Sequence, residues 1–237
     1  ATQANTDLNL SMFIDTANNG VRLNGVSSVA IPDIEATNGI IHVVDAVIGL
    51  PTVVDQALAN PAAFSSLVAA LSAADGDLVN VLSGEGTFTV LAPDNDAFST
   101  FLNGAALEDV PTDALANLLL NHVLGSVVTS TDLVGLGAGY TNTLATGPGA
   151  NNLSLYFDTA EGVRFNGVSS VTAADVVTTN GIIHAVDAVI GIPTVVTFAL
   201  ADTNNFSTLV AALTTLTPST DFVSVLSDTS AEFTVFA

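Results

Sequence analysis

The chain contains no cysteine, no tryptophan and no lysine, and its only two cations are Arg22 and Arg164. Without thiols there is no disulfide framework, no sulfur nucleophile and no zinc–cysteine site. Those two cations face 23 carboxylates, for a formal net charge of −21. Nucleic acid is excluded as a partner, because such binding needs several cations to displace counterions from phosphates. The same shortage argues against electrostatic docking on an anionic membrane and against phosphoryl-clamping catalysis. Long apolar runs are also missing: the longest, Gly39 to Val54, is broken by His42, Asp45 and Pro51. No transmembrane segment is expected from it, and no basic-then-apolar export signal stands within the chain.

What is present has a globular composition. Of 237 residues, 49% are hydrophobic and 11% charged, which suits one or two packed domains rather than an acidic tail or a coiled coil. Richness in Thr, Ser, Asn, Asp and Gly fits a cell-surface or matrix protein.

The strongest signal is internal repetition. VRLNGVSSV at Val21–Val29 returns as VRFNGVSSV at Val163–Val171, and NGIIHVVDAVIGLPTVV at Asn38–Val54 returns as NGIIHAVDAVIGIPTVV at Asn180–Val196. ALANPAAFSSLVAAL at Ala57–Leu71 returns as ALADTNNFSTLVAAL at Ala199–Leu213; all three pairs share an offset of 142 residues. TFTVLA at Thr87–Ala92 matches EFTVFA at Glu232–Ala237, offset by 145. A period of that length is a domain, not a solenoid unit. The register predicts the C-terminal part of one domain in residues 1–52, a complete domain in 53–194 and the N-terminal part of another in 195–237. The expectation is a window on a longer tandem array, or units completed by neighbouring chains.

Within 53–194, Thr52 can cap a first helix, and Phe64, Leu67, Val68 and Leu71 form the stripe of a second after Pro61. Leu78, Val81 and Leu82 continue into a third helix that stops at Gly84, and Thr87–Ala92 alternates as a strand. Helices are expected again near Ala97–Leu102 and over Thr112–Asn121. Strands are then expected over His122–Thr129, Tyr140–Ala145, Leu153–Phe157, Val163–Phe165, Val168–Val171 and Ile182–Ile190. Asn166-Gly167 and Asn24-Gly25 are hairpin-type turn pairs. Helices followed by strands predict an α+β fold with a largely antiparallel sheet. Gly191-Ile192-Pro193 leads directly into the next helix and cannot act as a flexible tether, so successive units should hold one orientation, as in a rod.

Candidate chemistry is sparse. His184 shares a strand face with Ile182, Val186 and Ile190, the setting of a hydrogen-bonded core histidine, and Asp187 lies on the opposite face. No nucleophile elbow or His-Glu-x-x-His helix is present, so no catalytic residue is assigned. Asp94 and Asp96, in Pro93-Asp94-Asn95-Asp96, and Asp75 and Asp77, in a turn, are the candidate metal ligands. Their oxygens suit calcium, and helix capping or turn formation is the competing role. No other cofactor is expected. Tyr140 and Tyr156 are the only tyrosines that could wall a glycan or small-molecule pocket.

These residues resemble the fasciclin domain family. TFTVLAPDNDAFSTFL at Thr87–Leu102 looks like its first box, and NGIIHVVDAVIGLP and NGIIHAVDAVIGIP look like its second. LLLNHVLGSV at Leu118–Val127 sits where the family carries a Tyr-His pair, with His122 as the histidine and Asn121 in the tyrosine's place. On this resemblance Pro93, Asn95, Phe98, His122, Asn180, Gly181, His184 and Asp187 are motif positions, expected to be structural. The resemblance implies a β-sheet wedge with packed helices in a tandem, secreted or cell-surface protein. It also implies adhesion, matrix assembly and protein–protein contact rather than catalysis. The expected partners are copies of the chain itself or other surface and matrix proteins, with glycans as the alternative. Residues 53–194 carry fourteen carboxylates against Arg164 alone, a net −13. Such units repel one another until salt screens them over about 8 Å, so self-association, as a filament or otherwise, is expected to need salt or divalent cations.

Overall fold

The computed structural model describes residues 3, 7–17, 20–214, 221–229 and 231–237. It shows an α+β fold. Four strands come first: β1 (Ile14–Asp15), β2 (Arg22–Leu23), β3 (Ser27–Ala36) and β4 (Gly39–Val44), antiparallel and in chain order. Three helices follow. Thr52 and Asp55 form a reciprocal capping box at the start of α1 (Val53–Ala59), Pro61 opens α2 (Pro61–Ala73), and Asp77 leads into α3 (Leu78–Ser83). Next come β5 (Phe88–Pro93), α4 (Asn95–Leu102), α5 (Thr112–Leu120), β6 (Val123–Leu124) and α6 (Ser130–Leu136). The strands β7 (Ala138–Thr146), β8 (Asn152–Asp158), β9 (Arg164–Phe165), β10 (Ser169–Val177) and β11 (Gly181–Val186) complete a seven-stranded sheet. Its order is β6-β5-β11-β10-β9-β8-β7. Beyond it lie α7 (Val195–Ala201), α8 (Thr203–Thr214) and α9 (Phe222–Leu226).

The sheet is antiparallel except between its second and third strands, where β5 and β11 run parallel with Gly181 opposite Phe88 and Val186 opposite Pro93. Alternation along these two strands divides the core. Val90, Ala92 and Ile183 face the helices, packing with Val53, Leu67, Leu71, Leu82, Phe98 and Leu115. Leu91 and Val186 face the other way, with Leu124, Leu133, Leu155, Phe165 and Ile190.

The repeat is carried into geometry. β3 and β4 pair with the register of β10 and β11, Val29 to Val44 matching Val171 to Val186, and both pairs are bulged at the corresponding places. Asp33 and Asp175 take left-handed φ values of 55° and 58° there.

Three local expectations change. His122–Thr129 forms a strand only at Val123–Leu124. Beyond it, Thr89 Oγ1 donates to Ser126 O and accepts from Val128 N–H, so a side chain replaces the ladder. The helix α6 was hidden in a strand-rich region; its signal is the capping box of Thr129 and Asp132. The strand read over Ile182–Ile190 stops at Val186, where Asp187 Oδ1 accepts from Ser170 N–H and Ser169 Oγ donates to Ala188 O.

Candidate functional site

The motif residues converge on two adjacent inner strands of the sheet. β5 carries the first box and β11 the second, so the two boxes are neighbouring parallel strands. Pro93 ends β5, and Asp94 caps α4 by accepting from Ala97 N–H at 2.8 Å. Asn95 ties α4 to α2: it accepts from Ser66 N–H and donates to Pro61 O and Ala62 O. Phe98 is buried in the helix-side core. Asn180, just before β11, clasps α1 and the end of α3, accepting from Val53 N–H and donating to Leu82 O and Gly84 O.

Both histidines of this unit are closed in by backbone. His122 Nδ1–H donates to Leu118 O at 2.9 Å, and its Nε2 accepts from Ile190 N–H at 2.8 Å. Burial drives its pKa down to about 4, against a smaller upward push from Leu118. His184 Nδ1 accepts from Asp175 N–H, and its Nε2–H donates to Val128 O. Burial lowers its pKa as well. His184 thereby pins the bulge of β10, while Asp175 turns its carboxylate to the N–H and hydroxyl of Ser130. Neither ring has a nitrogen free for proton transfer. Asn121, in the tyrosine's place, is fully buried, donates to Ile190 O and Gly191 O and accepts from Thr143 Oγ1.

The four acidic candidates are dispersed. Asp77 accepts from Asn80 Nδ2 at 2.7 Å, Asp75 N–H donates to Thr112 O, Asp96 is exposed in the first turn of α4, and Asp94 is its cap. Among the described residues, no three His, Asp or Glu side chains gather where they could hold a metal ion.

The structure adds a feature that motif reading did not find, a junction built twice to one plan. Asn24 accepts from Phe13 N–H and Asn166 from Tyr156 N–H, each bracing an Asn-Gly turn. Each turn lies on the end of the following helix. A Cβ on Gly25 would stand 3.0 Å from Ala59 Cα, and one on Gly167 would stand 3.3 Å from Ala201 Cα. Both glycines also need positive φ, at 66° and 68°. At the first junction Gln56 Nε2 donates to Ser11 O, Ser11 N–H to Val177 O, and Thr179 N–H to Pro51 O. At the second, Phe198 holds the place of Gln56 and meets Tyr140, whose ring also leans on Tyr156 at 5.1 Å.

Tyr140 O–H donates to the buried carboxylate of Asp202, which two Asn205 Nδ2 contacts also satisfy. Burial, then the hydrogen bond and charge of Asp202, push the Tyr140 pKa up to about 12. An acid whose folded pKa is raised keeps its proton in the folded state alone, so this junction weakens as pH climbs from 10 towards 12. Tyr140→Phe is expected to destabilise the docking of α7 and α8 by about 1 kcal/mol. Hydrogen exchange should read faster amides in those helices and unchanged amides in β5 and β11.

The fasciclin domain model matches residues 1–51 and 62–193. The chain belongs to the fasciclin domain family. It is 32% identical to human periostin over 185 residues, which is 77% of this chain and 21% of periostin. It is 34% identical to protein sll1483 of Synechocystis over 169 residues, 70% of this chain and 88% of that protein. Against the pig transforming growth factor-beta-induced protein ig-h3, identity is 32% over 178 residues, or 24% of that protein. The chain thus spans about a fifth to a quarter of the two animal relatives. The fold matches a FAS1 domain pair from the insect cell adhesion molecule fasciclin I with a TM-score of 0.50 and 21% identity, covering 76% of this chain and 66% of that one. Among the described residues no helix is long and apolar enough to cross a membrane.

Proposed function

We propose that the chain is an extracellular adhesion module that works by protein–protein contact at a cell surface or in a matrix, along a stiff row of fasciclin domains. The observation that carries this reading is the twice-built junction, Asn24-Gly25 on Ala59 and Asn166-Gly167 on Ala201. A stack repeated with one geometry holds contact faces at fixed spacing, which a rod under tension needs and a tethered string does not supply. The fold neighbour from an insect cell adhesion molecule supports the same class of role. Partners on this reading are copies of the chain or other surface and matrix proteins.

Small-angle scattering of the whole chain is expected to give one elongated particle with sharp cross-section dimensions. A broad ensemble of interdomain distances would remove the rod. Beads coated with the chain should adhere to matrix-coated surfaces, and absence of adhesion at physiological salt would remove the contact role. Loss of adhesion in EDTA would give Asp75, Asp77, Asp94 and Asp96 a calcium-bridging role. Adhesion that survives EDTA would leave them as caps and turns.

A second reading, a binding module for a glycan or small molecule, is favoured by a cavity of about 250 Å³ at the second junction. Tyr140, Phe198 and Phe206 wall it, with Leu209 and Val235. A soluble sugar that raises the melting temperature of the chain, but not of Tyr140→Ala, would establish it.

A further inference from the structure

The seated Asn-Gly turns leave a hollow beside them. At the first junction its volume is about 260 Å³, and Val26, Leu50, Pro51 and Leu58 line it, with Asp55 as its one charged group. Val26 and Leu58 are 60% and 53% exposed, and Leu50 is exposed too. The second junction repeats the pattern. Val168 and Leu200 are 56% and 52% exposed there, and Ile192, also exposed, holds the place of Leu50. None of these six side chains belongs to either side of the core.

The opening belongs to the junction itself. Residues 53–194 span one full period of the repeat, with Leu58 at the front and Val168 and Ile192 at the back, so each is uncovered with its own unit whole. A segment of a neighbouring unit that covered the hollow would come from the preceding unit, whole at the second junction, or from the following one, whole at the first. The apolar positions are exposed at both junctions.

Size and lining select the occupant. An apolar cavity of about 150 Å³ takes a benzene ring, and sites for whole small molecules begin near ~300 Å³. The hollow therefore suits one large side chain, the kind of anchor that dominates protein–protein contacts. No aromatic ring lines it for a sugar to stack on. Charge sets what flanks that side chain. Asp55 stands in the wall, while Asp45 accepts from Ser28 N–H and Asp187 from Ser170 N–H, each next to the turn that carries Val26 or Val168. Arg22 and Arg164, across the ladder from Ser28 and Ser170, are the only cations set against a net charge of −21.

We infer that each junction hollow receives one large apolar side chain of a partner protein, flanked there by lysine or arginine. The inference rests on the contact-module reading above and names the face and the partner chemistry of that contact. A partner presenting two such side chains at the spacing of the junctions binds both hollows at once, and the second contact adds avidity. At the second junction Thr197 replaces Asp55, so the first site is the more sensitive to salt.

Methyl NMR of the whole chain tests this with capped Lys-Leu-Lys as the probe and capped Lys-Ser-Lys and Glu-Leu-Glu as controls. Lys-Leu-Lys should shift, saturably, the methyl signals of Val26, Leu50 and Leu58 and those of Val168, Ile192 and Leu200. The controls should shift neither set. Leu58→Ser should lose the first set alone, and Leu200→Ser the second. Thermal unfolding of both variants should match wild type; Val26→Thr and Val168→Thr serve as a second pair if a serine variant unfolds early. Equal shifts with either control, shifts confined to other residues, or no shift at all would each overturn the inference. Broadening of the same methyls with protein concentration alone would make a second copy the occupant, and would overturn it too. Beads carrying the Leu58→Ser, Leu200→Ser double variant should lose adhesion to matrix-coated surfaces. Full adhesion by that variant would overturn the inference while leaving the contact-module reading standing, whereas wild-type beads that do not adhere would remove the reading itself.

Discussion

Gly181→Ala is expected to lower the stability of the central unit by about 3 kcal/mol or more, and its melting temperature by about 10 °C. A Cβ at this position would fall well inside van der Waals contact of the Phe88 carbonyl oxygen, 3.0 Å from its carbon and 3.1 Å from Val53 Cγ1. Two of these atoms are backbone of the parallel partner strand, so no rotamer change relieves the overlap. The strands must part, and β5 and β11 form the centre of both core faces. The Asn180 clasp on Val53, Leu82 and Gly84 lies one residue away and moves with them. Chemical denaturation of wild type, Gly181→Ala and Gly39→Ala provides the check, with the last as a matched substitution in open space. Equal losses from the two variants would remove the packing argument.

Acidification provides the second large effect. The neutral ring of His122 uses both nitrogens, Nδ1–H towards Leu118 O and Nε2 as acceptor from Ile190 N–H. A second proton would set Nε2–H against that N–H inside a buried site. The folded state therefore holds the group neutral down to about pH 4, while the unfolded chain takes up the proton near 6.5. Between these values the unfolded state binds more protons, so stability falls as pH falls. The contribution is complete above pH 6.5, and about 3 kcal/mol of it is gone by pH 4. His184 adds to the loss in the same direction, because burial lowers its pKa too. Urea unfolding at stepped pH should show this slope in wild type and a shallower one in His122→Gln. Identical slopes would show that carboxylates alone set the acid limb.

Much of the fold was legible in residue order because its signals are local. Thr52, Pro61 and Gly84 punctuate the first three helices by capping chemistry that acts over one turn. Asn166-Gly167 announced its hairpin, since few other residue pairs accept two successive positive φ values. His184 was legible as a core histidine from the apolar strand face around it. The helix α6 was less visible: its capping box is four residues long and stood in a stretch rich in β-branched residues.

The pairing of β5 with β11 could not be read in advance. The two strands are about ninety residues apart, and nothing in either says that the other is its parallel neighbour. The Tyr140–Asp202 lock and the seating of each Asn-Gly turn on the next helix are of the same kind, contacts between distant residues brought together by packing.

What the sequence determined by itself is the repeat, the fasciclin boxes, the α+β class and the near-absence of cations, all properties of residue identity and short-range order. Only the tertiary structure decided that β5 and β11 lie side by side in parallel and that Tyr140 reaches Asp202. Such contacts join residues far apart in the chain, and residue order carries no record of distant neighbours.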